Sequence, residues 1–355
     1  MTILAVILAF SILIIIHELG HFIVAKRNGV KVEIFSIGFG PKLFSVKSGD
    51  TEYKVSLIPL GGYVKMAGIV DESMDQAGVK GQPWEFLSKT LWQRFKIIAA
   101  GPWMNFVLAW AIFIGVFMMG IPYLSTKVGE IKEGYPAAAA GLKSGDEIVS
   151  INGMKTGRWD ELVKVIYASP GKEVKLEVLR GGEVSEIKVV PKEEKTTDLF
   201  GRDHVIGLIG MMPTSEFLKE KLNPLEAAWR GTVHTVELTG TMYKGIWLLI
   251  TGQVSAKNLA GPIGIIDLTS QSAKQGFLPL MTFLAIISLN LAVLNFMPIP
   301  ILDGGHLLFL MVEKVKGSPM SVKAQDKMQK VGLALLLALV VFATYNDILR
   351  FFHRS

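Results

Sequence analysis

The chain of 355 residues contains no cysteine. Disulfide frameworks and thiolate zinc sites are thereby excluded, so any metal must be held by His, Asp, Glu or similar ligands. No basic patch with interleaved aromatics is present, so the net charge of +6 does not point to nucleic acid. Basic residues gathered in the cytoplasmic loops of a membrane protein explain that charge instead. The N-terminus lacks a basic n-region, and no small-residue cleavage site follows its apolar core. An uncleaved first span is therefore expected rather than a signal peptide. Polar residues are too scarce along the spans for a metal transporter.

What the chain does have is apolar length. It is 50% hydrophobic with a positive mean hydropathy, too apolar for an ordinary soluble protein and long enough for several spans plus a soluble domain. The first span covers residues 1–25, and within it stand His17-Glu18-Leu19-Gly20-His21. Ionisable groups inside a membrane helix are costly, so such a cluster marks a functional site. His17 and His21 are spaced i, i+4 and share a helix face. H-E-x-x-H is the zinc-hydrolase pattern, with two imidazole ligands and a glutamate as general base.

Residues 26–96 carry eleven Lys/Arg against seven Asp/Glu, which places them on the cytoplasmic side and the N-terminus outside. Val30–Phe35 and Glu52–Ile58 read as strands, rich in β-branched and aromatic residues, and Gly38, Gly40, Gly61 and Gly62 punctuate them. A small β-sheet is expected here, serving either as structure or as an edge that pairs with extended substrate. The second span, 97–121, contains Asn105, read as an interhelical hydrogen bond. Residues 122–213 alternate short strands, glycines and charges. Tyr135–Gly153 resembles the PDZ domains of bacterial proteases, followed by a helix over Trp159–Ala168, a hairpin around Gly181-Gly182 and a closing strand over Val205–Gly210. In 214–276, residues 223–252 form an amphipathic helix lying on the membrane, where His234 and Glu237 read as a solvated face rather than a second metal site. Gly261–Ile266 reads as a turn and a short buried strand. A third span, 277–303, ends in Asn295-Phe296-Met297-Pro298-Ile299-Pro300-Ile301-Leu302-Asp303-Gly304, where a carboxylate at a broken membrane segment must line a cavity or bind something. A cytoplasmic loop, 304–330, and a fourth span, 331–352, complete the chain. Thr344, Tyr345, Asn346 and Asp347 interrupt that last span.

With the N-terminus outside, the first and third spans bring His17, His21 and Asp303 to the same cytoplasmic end. Three ligands leave the fourth position of a zinc ion open, and Glu18 is placed to take a proton from water.

The HExxH motif in the first span, a PDZ-like insertion between the second and third, and Asn-x-x-Pro-x-Pro-x-Leu-Asp-Gly around Asp303 together resemble the site-2 protease family. The single PDZ-like domain resembles its bacterial RseP-type members. The resemblance implies a polytopic α-helical membrane protein with four transmembrane helices, a membrane-associated β-region and an inserted α/β PDZ domain. It implies Zn2+ on His17, His21 and Asp303, Glu18 as catalytic base, and Asn295 near substrate or oxyanion. It implies that the segment with Gly38, Gly40, Gly61 and Gly62 pairs with substrate, and that His306 is not a ligand. Expected partners are single-span transmembrane substrates already trimmed outside the membrane, such as anti-sigma factors and remnant signal peptides, with peptide termini at the PDZ domain and a lipid bilayer around the spans. The expected place is the bacterial cytoplasmic (inner) membrane, with both termini outside the cytoplasm. The well-known enterobacterial members carry two PDZ domains, whereas this chain has room for one. A catalytically silent PDZ scaffold is the alternative, and the intact HExxH and Asp303 argue against it.

Overall fold

Apolar runs too long for a globular core become helices that satisfy their own backbone, the only open-ended structure a bilayer tolerates. The computed structural model describes residues 2–68, 80–197, 203–256 and 260–354. Asp71, Glu72 and Asp75, counted in the charge balance above, lie outside the described residues. Among the described residues, four helical stretches are long and apolar enough to cross a membrane: Ile7–Arg27, Leu91–Met119, Phe277–Phe296 and Lys323–Arg350. The chain forms two compact units, one of Met1–Val116, Ala228–Lys244 and Ala256–Ser355, the other of Phe117–Ala227 and Gly245–Ser255.

In the first unit, helix α1 (Thr2–Arg27) leads into strands β1 (Val32–Ser48) and β2 (Thr51–Met66). These two long strands bend so that four segments pair. Val32–Ile37 faces Gly62–Met66 on one side and Glu52–Val55 on the other, while Lys42–Ser48 pairs with Thr51–Ser56. Helix α2 (Leu91–Met119) follows. Gly20 of α1 lies directly against the Ala100 carbonyl of α2, a close approach of the kind small residues permit between membrane helices. Ala25, Val32, Met66, Phe86, Ile97 and Leu307 share one buried cluster.

In the second unit, β3 (Ile121–Leu124), β4 (Val128–Ile131), the short α3 (Pro136–Ala139), β5 (Glu147–Ile151), β6 (Met154–Lys155), α4 (Trp159–Tyr167), β7 (Val174–Arg180) and β8 (Glu183–Val189) come in order. They are followed by β9 (Lys192–Thr197), β10 (Asp203–Leu208), β11 (Met211–Pro213) and β12 (Phe217–Glu220). The central sheet has the order β6-β5-β7-β8. Val174, Leu176 and Val178 alternate inward on β7 and pack with Leu162 and Ile166 of α4. The Asn152-Gly153 turn has both residues at positive φ, the conformation Asn-Gly favours in a hairpin. This is the PDZ-like domain expected from the sequence.

Helix α5 (Pro224–Ile250) begins as read, with the Asn223 side chain accepting from the Glu226 N–H. The next expectation fails. Residues read as a turn and strand form helix α6 (Pro262–Gln275). The Asp347 carboxylate caps it from 83 and 86 residues away, accepting from the Gly264 and Gly261 N–H groups. Helix α7 (Phe277–Phe296) ends before Pro298, and the chain doubles back, with Gly304 and Gly305 pressed against the carbonyls of Met297 and Ile299. The expected loop at 304–330 is instead mostly helix: α8 (Asp303–Lys316), closed by Gly317 at φ 76°, and the start of α9 (Val322–Arg354). Leu307, Phe309 and Leu310 give α8 a buried stripe, which the local excess of lysine masked.

Candidate metal centre

The i, i+4 spacing puts both histidines of α1 on one face, and the fold-back after α7 delivers the first residue of α8 to them. His17 Nε2 stands 3.1 Å from Asp303 Oδ2, His21 Nε2 stands 3.4 Å from Asp303 Oδ1, and the two Nε2 atoms are 3.2 Å apart. Tetrahedral zinc with bonds of about 2.0–2.2 Å separates its ligand atoms by roughly 3.3 Å. The three side chains therefore already stand at the spacing such an ion imposes. The two Nε2 atoms, 3.2 Å apart, both face the Asp303 carboxylate, and a cation among them would take both imidazole lone pairs. Among the described residues, these three are the one group of His, Asp or Glu able to hold a metal. The donor set of two imidazoles and a carboxylate fits zinc with a position left over.

Helix α2 supplies the surroundings. His21 Nδ1 lies 2.8 Å from the Ile97 carbonyl, which can only accept. Nδ1 therefore carries a hydrogen, which in the neutral ring leaves the Nε2 lone pair for the centre. Such outer partners fix tautomer and ring orientation. At Gly101 a Cβ would lie 2.6 Å from His21 Cε1 and 2.9 Å from His17 Cε1, so the imidazoles occupy the space a side chain would take. Asn105, 1% exposed, places Nδ2 3.4 Å from His17 Nδ1, while its backbone carbonyl accepts from Ser288 Oγ at 2.8 Å. Ile97, Gly101 and Asn105 recur at i, i+4 and i+8, one face of α2. Sequence reading missed Ile97 and Gly101, although a glycine and an asparagine four apart in an apolar span were the available signal.

Glu18 is half-buried beside β2, where a Cβ on Gly62 would lie 3.5 Å from its Cγ and 2.8 Å from the Ser36 carbonyl. Of the four glycines singled out, Gly62 thus reaches the HExxH helix. Gly61 packs under the Phe39 ring, and Gly38 and Gly40 face Ile58. Asn295 stands half-buried in the last turn of α7, and among the described residues no hydrogen bond joins it to the triad. The His306 ring stands 5.8 Å from that of Phe309, and His234 stands edge-on to Phe113 at 4.8 Å.

An HExxH helix closed by an aspartate from a second segment, among four helices fit to cross a membrane, defines a membrane-embedded zinc metalloprotease of the site-2 type. The profile of Peptidase family M50 matches residues 5–339, and the chain belongs to that family. It is 33% identical over 426 aligned residues to the regulator of sigma-W protease RasP of Bacillus subtilis, with 99% of each chain covered. It is 34% identical over 426 aligned residues to the zinc metalloprotease RasP of Oceanobacillus iheyensis, again with 99% of each covered. Among solved structures, the PDZ domain of an SdrC-like protein from Listeria innocua is 26% identical, covering 26% of this chain and 96% of that one at a TM-score of 0.21.

Proposed function

We propose that the chain hydrolyses a peptide bond within the transmembrane segment of single-span membrane proteins already trimmed outside the membrane, with His17, His21 and Asp303 as zinc ligands and Glu18 as general base. The observation that carries this reading is the convergence of those three side chains from α1 and α8 at tetrahedral ligand spacing. Zinc, when bound there, polarises the scissile carbonyl and lowers the pKa of water to about 7. Glu18, one residue after the first ligand, takes the proton of the attacking water and returns it to the leaving amine. Among the described residues, Gly62–Met66 of β2 has a partner strand on one side only, and Gly62 lies beside Glu18. An unwound substrate segment adding to that edge would be held by main-chain hydrogen bonds close to the base. The bare backbone at Gly61 and Gly62 gives it room, and Asn295 contacts it from α7.

The relative in Bacillus subtilis is named for sigma-W regulation, which supports anti-sigma factors as a substrate class, with remnant signal peptides as a second. The charge of residues 26–96 favours a bacterial cytoplasmic membrane location with both termini outside. The PDZ domain then excludes untrimmed proteins by size or binds their new termini. The test is cleavage of a transmembrane peptide by purified protein and by Glu18→Gln. The variant should keep its zinc and lose cleavage, and cleavage that survives the substitution overturns the mechanism.

A further inference from the structure

The two histidines are supported differently on the side away from the centre. His21 Nδ1 faces a backbone carbonyl, which admits one tautomer. His17 Nδ1 faces the carboxamide of Asn105 at 3.4 Å, which can donate through Nδ2 or, turned over, accept through Oδ1. Asn105 is buried, and its Oδ1 has no hydrogen-bond partner among the described residues. Its backbone carbonyl takes the Ser288 hydroxyl, so the bond between helices α2 and α7 does not use the side chain. The carboxamide is therefore left to serve His17.

We propose that Asn105 is the positioning residue of His17. Its amide donates to Nδ1 when Nε2 carries the hydrogen and points it at Asp303. It turns over to accept from Nδ1–H when Nε2 binds the metal. The inference rests on His17 being a ligand, as proposed above. With zinc bound, Nε2 must offer a lone pair, so Nδ1 holds the hydrogen and needs an acceptor. The buried Asn105 amide stands where that acceptor is needed, and an unsatisfied N–H there weakens the ligand and frees the ring to tilt. A carboxamide serves both states, whereas a carboxylate serves only the metal-bound one.

The experiment is zinc affinity, measured by chelator competition on the full-length protein in detergent, for wild type, Asn105→Leu, Asn105→Asp, Ser288→Ala and His17→Ala. Asn105→Leu should weaken zinc binding by about 10- to 100-fold, the range for lost outer-shell partners. Asn105→Asp, which keeps the acceptor, should bind zinc within about 3-fold of wild type or more tightly, and Ser288→Ala should leave affinity unchanged. Wild-type affinity in Asn105→Leu overturns the proposal. So does a loss in Asn105→Asp as large as that expected of Asn105→Leu, a result that stands even if the leucine variant fails to fold. Unchanged affinity in His17→Ala would instead overturn the ligand assignment itself, so the two failures are distinguishable.

Discussion

Gly101→Ala sets helix propensity against the packing of the metal centre. In the interior of α2, alanine for glycine should stabilise the helix by about 0.5–1 kcal/mol. The new Cβ, however, would overlap His21 Nε2 and lie 2.6 Å from His21 Cε1, where ordinary contact begins at 3.4 Å, so that ring must retreat by at least about 0.8 Å. It cannot do so freely, because its Nδ1 is held by the Ile97 carbonyl and its Nε2 faces both His17 and Asp303. His17 is crowded as well, at 2.9 Å from its Cε1. Zinc sites tolerate ligand displacements of about 0.2 Å, so a shift several times larger removes His21 from an ion held by the other ligands. Zinc affinity should fall by at least about 100-fold, exceeding the loss of an outer-shell partner, while the overpacking costs the metal-free protein about 1–3 kcal/mol, more than the helix gains, so its melting temperature falls. The assay pairs chelator competition for zinc with thermal unfolding of the metal-free protein in detergent. Wild-type zinc affinity in Gly101→Ala would refute the packing of α2 against the triad.

Gly62→Val should do the converse, since the side chain would push β2 away from Ser36 and Glu18. Zinc content should stay at wild type while kcat/KM falls by about 100-fold, as for a 1 Å misplacement at a reacting centre; unchanged cleavage would detach β2 from the reaction. Glu313→Ala strands the buried Arg94, whose two terminal nitrogens Glu313 accepts from. Thermal stability should drop by about 3 kcal/mol, with much of the loss recovered in Arg94→Met/Glu313→Leu; a Glu313→Ala melting curve matching wild type would show the pair to be idle. In the PDZ-like domain, the Arg180 guanidinium and the Lys143 N–H hold the Asp146 carboxyl below the usual carboxylate range. A carboxyl depressed on folding adds stability above its unfolded pKa of about 3.9 and loses it as pH falls through the folded value. Acid unfolding of that domain should therefore begin below about pH 4, and Asp146→Asn should flatten this part of the pH dependence; an unaltered profile would remove Asp146 as its source.

Local chemistry made half of the centre legible. His17, Glu18 and His21 declare themselves because their spacing and their apolar setting both lie within five residues. Asp303 needed the charge topology and the family resemblance, since nothing near it in the chain names its partners. Asn105 reads as an interhelical hydrogen bond, but Ile97 and Gly101 stayed hidden for a physical reason: a carbonyl and a missing Cβ acquire meaning only when α2 lies against α1. The error at Gly261–Ile266 has the same origin. A Gly-Pro pair and three isoleucines read as a turn and a short buried strand, although Gly261-Pro262 is also a helix start, and the carboxylate that decides between them is Asp347, in the last helix. That aspartate had looked like a flaw in the fourth span, yet it caps another helix. The PDZ-like domain was readable almost throughout because its turns are written in short Gly-rich words and its strands alternate.

X-ray absorption at the zinc edge of the full-length protein in nanodiscs tests the central claim most directly. The expected result is a first shell of nitrogen and oxygen at about 2.0–2.2 Å, containing two imidazoles, with one imidazole lost in His17→Ala or His21→Ala. A shell without histidine, or one that those substitutions leave unchanged, would contradict a zinc centre built on this helix.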